Sequence, residues 1–227
     1  MKTYLEPQEV ERMEQKADNL RDRLLVRLLF RTGCRVSEAL ALGPQDVDLQ
    51  GGTVTIQHLK ARVRLSCPHC GVRLGLSHRH CPGCGAAVEA ALREELERRR
   101  VRTLPVDSGT LEMVQRYVKG GGPVHRNGHT LLFGIARHQA WKVVTDLAGE
   151  AGLPRLVNPE NGRTRGVSPH RLRDAHAVRA VKRDDSTDGV RMLQEMLGHS
   201  SIATTMKYRK VAATELRDWY ERMWEED

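Results

Sequence analysis

The stretch LGHSSIATTMKY, residues 197–208, places His199 and then Tyr208 around a short turn and a helix. Upstream, SPHRLRDAHA carries His170 and Arg173 in H-x-x-R spacing, and TGCRVSEALAL carries Arg35 in an R-x-S-E setting. An arginine is a planar, permanently charged fork suited to two non-bridging phosphate oxygens. A phenol, with an ordinary pKa of about 10, is a poor nucleophile at neutral pH until its proton is taken and its anion stabilised. Arg35 and Arg173 suit the clamp, and Tyr208 suits the nucleophile. Singly, each has a plainer reading: a surface arginine, a helix-start histidine at 170, a half-buried tyrosine with a wet hydroxyl. Their joint occurrence, in one order on suitable elements, favours the chemical reading.

A second cluster is CPHCGVRLGLSHRHCPGCG, with C-x2-C-x10-C-x2-C spacing through Cys67, Cys70, Cys81 and Cys84. Proline and glycine recur at matching places, Pro68 with Gly71 and Pro82 with Gly85. Two such knuckles supply four thiolates for a tetrahedral zinc, and a closed four-sulfur site is structural rather than catalytic. The competing reading is a disulfide pair, which suits an oxidising compartment. His69, His78 and His80 lie nearby without being needed as ligands, and Cys34 reads as a small buried residue.

These residues need elements to hold them. NLRDRLLVRLLFRTG sets Leu20, Leu24, Leu25, Leu28 and Leu29 on one helical face, with Gly33 as the stop. A short helix, VSEALAL, follows Arg35. TVTIQH alternates as a strand, and VRTLPVD is a second strand whose Pro105 suits an edge. SGTLEMVQRYVK reads as a helix capped by Ser108, and ARHQAWKVVTDLAGEAG as another. PRLVNPENGRTRGVSP reads as a breaker-rich loop. Ser168 as cap and Pro169 in the first turn start the helix that carries His170 and Arg173 on one face. That helix start also points free amides and a positive dipole end toward an anion. DGVRMLQEMLG gives the next helix. The segment AAVEAALREELERRR reads as a helix ending in Arg98, Arg99 and Arg100, either a solvated face or a DNA contact. An amphipathic C-terminal helix carries Trp219, Tyr220, Met223 and Trp224. The fold class expected is mainly α with a small antiparallel β-sheet.

The 227 residues are enough for one large domain or one domain with an insert. Hydrophobic residues make up 39% but aromatics only 4%, so the core must be aliphatic. No apolar run approaches the roughly 20 residues of a membrane span, and the N-terminus has no signal-peptide pattern. This points to a cytoplasmic protein. The net charge of +8 favours a polyanionic partner, with nucleic acid foremost. Four thiolates on one zinc lower that sum only to about +6.

In that order the Arg35, His170–Arg173 and His199–Tyr208 boxes resemble the tyrosine recombinase (phage integrase-like) family, specifically its catalytic domain. The helical lead-in RDRLLVRLLFRTGCRVSEALAL and the passage DVDLQGGTVTI are similar to that family too. The resemblance implies a site-specific recombinase or integrase acting on double-stranded DNA. Tyr208 would attack the scissile phosphodiester, giving a 3′-phosphotyrosine and a free 5′-hydroxyl. Arg35 and Arg173 would clamp the phosphate, His170 would serve as base or donor, and His199 would bond a non-bridging oxygen. The family's general acid is a hairpin lysine, for which Lys60 is the choice here, although the usual glycine-lysine-glycine pattern is missing. No metal or nucleotide is needed for that chemistry, which leaves zinc as a structural cofactor. The resemblance also implies a tetramer on paired sites, with the C-terminal helix docking on a neighbour or on its own domain. The insert is expected at residues 63–100, as a ribbon plus helix within a catalytic domain spanning 1–227. The family's N-terminal core-binding domain is expected to be absent, with the ribbon as substitute DNA grip. His176 has no family role and is expected in packing or facing solvent. Asp174 stands where the family often has another basic or polar residue. Two other readings remain: a non-catalytic zinc-ribbon DNA-binding regulator or adaptor, and a type IB topoisomerase-like relaxing enzyme.

Overall fold

A computed structural model describes residues 2–57, 63–75, 77–88, 92–95, 101–126, 128–158, 162–209, 220 and 223. In chain order the first elements are helices α1 (Pro7–Lys16), α2 (Leu20–Thr32) and α3 (Val36–Leu40). A 3-10 turn, Pro44–Asp46, leads to strands β1 (Val47–Asp48) and β2 (Thr53–Gln57). Then come β3 (Val63–Ser66), β4 (Arg73–Leu74), β5 (Leu92–Glu95) and β6 (Val101–Pro105). Helix α4 (Ser108–Lys119), the hairpin β7 (Val124–Arg126) and β8 (His129–Leu131), and helix α5 (Arg137–Glu150) follow. The remainder is β9 (Leu156–Val157), β10 (Thr164–Arg165), α6 (Pro169–Arg183), α7 (Thr187–Leu197) and α8 (Ile202–Met206). The chain divides into two compact units, Met1–Ile56 with Thr103–Asp227, and Gln57–Arg102.

The larger unit is built around α2. Leu24, Leu25, Leu28 and Leu29 are fully buried, and Leu20 is half-buried against the same core. Burying each leucine contributes about 2 kcal/mol. Asn19 starts the helix by accepting the Asp22 N–H at 2.9 Å. Gly33 ends it at φ +60°, the left-handed conformation glycine adopts without cost. Helices α1, α4 and α6 pack on α2, and α5 packs on α1 and α3. Helix α1 escapes the sequence reading because its polar face dominates, yet Val10 and Met13 are buried.

Strands β1, β2 and β6 form one sheet in that order, with β6 and its Pro105 at the edge as expected. Val54 and Ile56 point inward and are buried. The other sheets are small and antiparallel, so the fold is mainly helical with minor antiparallel sheets.

Three local expectations are corrected. Helix α4 is capped by Asp107, which accepts the Thr110 N–H at 3.1 Å, and Ser108 is its first helical residue. The segment after Val157 is not wholly a loop: Thr164 and Arg165 pair antiparallel with Val157 and Leu156. Residues read as the helix after the ribbon include β5, which pairs with β3 from Val63↔Glu95 to Ser66↔Leu92. A ladder with a neighbouring strand overrides a modest local helix preference there. Arg98, Arg99 and Arg100 lie outside the described residues, as do Trp219 and Trp224. No described helix is long and apolar enough to cross a membrane.

Candidate active site and metal centre

Arg35 opens α3 at its N-cap, with φ −73° and ψ 148°. Its own N–H donates to Glu38 Oε2 at 2.9 Å, and its Nη1 donates to Glu38 Oε1 at 2.9 Å. Glu38 is buried, so one carboxylate fixes both the backbone and the guanidinium of Arg35. The R-x-S-E spacing contained that partner, although only the arginine was singled out.

Arg173 sits one turn past His170 on α6 and is only 2% exposed. A buried cation needs compensation. Here it comes from two helix ends. Nη1 donates to the Gly33 carbonyl at the end of α2 (2.6 Å), and Nη2 to the Leu197 carbonyl at the end of α7 (2.7 Å). Terminal helix carbonyls are unpaired along their own axis and carry the negative end of the dipole. Gly33 and Gly198 both hold left-handed caps that end these helices and turn the chain away.

The same Nη2 lies 3.0 Å from His199 Nε2, and His199 Nδ1 lies 2.9 Å from Thr205 Oγ1. A guanidinium can only donate, so Nε2 accepts and the ring proton sits on Nδ1. Gln194 Nε2 donates to the His199 carbonyl at 3.0 Å and fixes the backbone on the other side.

The Tyr208 ring lies parallel to that of His199, with centroids 6.5 Å apart and planes at 11°. Its hydroxyl donates to Asp174 Oδ1 at 2.9 Å. Burial first, then the charge and hydrogen bond of Asp174, push the phenol above its usual range, and Arg173 pulls weakly the other way. Asp174 is itself buried and takes Arg171 Nη1 at 3.2 Å. The largely exposed His170 stands 3.7 Å from it through Nε2.

Arg173, His199, Tyr208 and His170 therefore meet around α6 and the ends of α2 and α7, with Asp174 between them. Arg35 follows two residues after the carbonyl that holds Arg173. Lys60 lies outside the described residues. Cys34 is buried in the core, as read from sequence.

His176 is packed, at the back of the site. Its Nδ1 donates to the Phe30 carbonyl at 2.9 Å, while Nε2 is buried with no hydrogen-bond partner. Burial lowers its pKa to about 4, with Arg173 and Arg179 adding to the effect. A methyl group on Gly33 would stand 2.6 Å from His176 Cδ2. Asp174 and His176 are the two residues the sequence reading left without a site role. Their only signal was their place in the box beside Arg173.

The second unit holds the cysteines. The four Sγ atoms lie within 4.8 Å of one another, with Cys67 to Cys84 at 3.8 Å and Cys70 to Cys81 at 3.4 Å. Zinc with four 2.3 Å bonds to sulfur separates its ligands by about 3.8 Å, so the donor set fits that ion. The knuckles are copies of each other. Cys67 N donates to Val72 O and Gly71 N to Cys67 O, both at 2.9 Å. Cys81 N donates to Ala86 O at 2.8 Å and Gly85 N to Cys81 O at 2.9 Å. Gly71 and Gly85 both have φ +71°.

A mainly helical body thus carries an arginine–histidine–tyrosine network at its helix ends. The "Phage integrase family" model matches residues 3–70 and 86–215 and passes over 71–85, a stretch that runs from the end of the first knuckle through the second. This chain belongs to the phage integrase family. It is 32% identical over 211 residues to the tyrosine recombinase XerD of Mycobacterium leprae (strain TN), covering 90% of this chain and 54% of that one. The chain thus spans about half the length of that relative. Among solved structures, the XerA recombinase matches with TM-score 0.62 and 21% identity, over 100% of this chain and 65% of that one. The XerH site-specific recombinase bound to its difH substrate matches with TM-score 0.60 and 21% identity, over 96% and 53%.

Proposed function

We propose that this chain is the catalytic domain of a site-specific recombinase that cuts and rejoins double-stranded DNA through a 3′-phosphotyrosine. The observation that carries the reading is the direct hydrogen-bonded link from Arg173 to His199, whose ring faces Tyr208. Arg35 and Arg173 offer guanidinium donors to the non-bridging oxygens, His199 stands beside Arg173 where it would bond such an oxygen in place of a present partner, and His170 sits exposed at a helix start where a phosphate would approach. Tyr208 Oη attacks phosphorus as the bond to the 5′ oxygen breaks. The phenol loses one proton and the 5′ oxygen gains one, so charge and bond order balance and the rejoining step is the exact reverse. Lys60 remains the choice for the acid that protonates the 5′ oxygen.

Support for a DNA partner comes from the net charge of +8 and from XerH, which is itself bound to difH DNA. A groove of about 640 Å³ also opens beside Tyr208, with Lys2, Lys182, Arg183 and Arg209 on its walls. Glu6 and Asp185 pair with Lys182 and Arg209, so part of that charge is already balanced. The four cysteines would hold one zinc, which stiffens the Gln57–Arg102 unit and takes no part in the reaction. That unit is proposed as an added DNA grip. Assembly into a tetramer on paired sites is proposed as well, supported by the exposed Ile202, Met206, Tyr220 and Met223.

A nicked suicide substrate, taken from the junctions that flank the gene's home element, tests the chemistry. Wild type should form a covalent protein–DNA adduct, and Tyr208→Phe should form none. An adduct that survives in Tyr208→Phe would overturn the assignment. DNA binding without adduct by wild type on the authentic site would favour a binding module.

A further inference from the structure

Asp174 is not needed as a phosphate ligand, yet it is the acceptor for the nucleophile's proton. We propose that Asp174 is a positioning residue that keeps the Tyr208 phenol protonated and tied to α6 until a DNA phosphate displaces it. The inference rests on the reading of Tyr208 as the nucleophile.

The carboxylate is held from several sides. Tyr208 Oη donates to Oδ1 at 2.9 Å, Arg171 Nη1 to Oδ2 at 3.2 Å, and His170 Nε2 stands 3.7 Å from Oδ1. Arg171 and Asp174 are both largely shielded from water, so their attraction is weakly screened. An ionised acceptor strengthens the bond to the phenol and opposes its ionisation. Among the described residues, Arg173 and the stacked His199 ring also face the tyrosine, Tyr4 adds to the same effect, and Lys2, Lys182, Arg183, Asp185 and Arg209 line the groove beside it.

This arrangement does not suit Asp174 as the base. Moving a proton from an ordinary phenol to an ordinary carboxylate runs about a millionfold uphill.

The same arrangement makes release depend on substrate. A phosphodiester drawn to Arg173, Arg35 and His170 brings negative charge beside Asp174 and competes for its cations. The phenol is the neutral partner in the pair and the one free to leave. It is carried beyond α8, a helix of 5 residues, on a segment anchored by Tyr208 N to Thr205 O at 3.0 Å. An unoccupied clamp thus keeps the nucleophile quiet, which suits an enzyme whose stray cleavage would break chromosomes.

The test removes the charge and keeps the shape. Full-length wild type and Asp174→Asn are prepared with ring-fluorinated tyrosine, which brings phenol titration into an accessible range. The Tyr208 signal is identified by its loss in Tyr208→Phe and followed by fluorine NMR against pH. Asp174→Asn should move the Tyr208 titration down by about one pH unit and speed single-turnover adduct formation about tenfold, the step from a charge-assisted to a neutral hydrogen bond. An unmoved titration overturns the hold, and so does slower adduct formation in the variant, which would mark Asp174 as the base. A titration that moves in Asp174→Asn, together with a wild type that forms no adduct, upholds the hold and overturns the nucleophile reading instead. Asp174→Ser, measured in the same way, stands in if the asparagine variant does not fold.

Discussion

At the scale of single residues, the site is a set of charges made tolerable by local partners. Arg173 is buried against two carbonyls, and Arg35 is pinned by Glu38. His176 shows what such burial costs. Its folded pKa of about 4 lies below the ordinary value of 6.5, so the folded chain binds fewer protons there than the unfolded one. Its contribution to stability is complete above pH 6.5 and is lost as the pH falls toward 4. The loss amounts to about 3 kcal/mol once both states have protonated. His176→Phe should flatten that part of the stability profile, read as urea midpoints at pH 7 and pH 4.5. A variant as acid-sensitive as wild type over this range would place the titration elsewhere.

At the scale of elements, the clamp depends on where α2 and α7 stop. Gly33 is read from sequence as a helix end, and its φ of +60° fits that role. Its second duty is visible only in three dimensions. A Cβ there would press 2.6 Å from His176 Cδ2 and 2.9 Å from Leu197 Cδ2, and the residue's carbonyl holds Arg173. Gly33→Ala should therefore cost about 1–3 kcal/mol through the left-handed backbone and the collision together. It should also slow adduct formation more than the stability loss alone explains. Thermal melts and single-turnover cleavage below the melting range separate the two effects. A variant that melts lower but cleaves at the wild-type rate would show that the carbonyl's position is not critical.

At the scale of the whole molecule, the chain carries two units with different sources of stability. The larger has an aliphatic core around α2. Among the described residues, the smaller buries little beyond Cys67, Leu74 and Cys81. A core that small does not hold a fold without a staple. Zinc removal by a strong chelator should release one ion per chain and expose backbone amides across residues 63–88, while Leu24–Leu29 stay protected in hydrogen exchange. Cys81→Ser and Cys84→Ser together should weaken DNA binding if the ribbon is a grip. Unchanged affinity with the larger unit intact would leave zinc as a local staple alone.

The sequence by itself determined where α2 stops, where α6 starts, and the spacing of the cysteine knuckles. These are short-range matters: an apolar face repeats every turn, a glycine ends a helix, and C-x2-C fits one tight turn. The strand at Leu92–Glu95 was not legible, because its partner lies far along the chain and pairing there outweighs local preference. Nor was the Asp107 cap, one residue from the serine that looked equally suitable. Only the tertiary structure decided that Asp174 holds the Tyr208 hydroxyl, that His176 packs under Gly33, and that two helix ends solvate Arg173. Those contacts join residues 24 to 146 positions apart. Their energies come from burial and from charges meeting at low dielectric, and neither is written in the spacing of a motif.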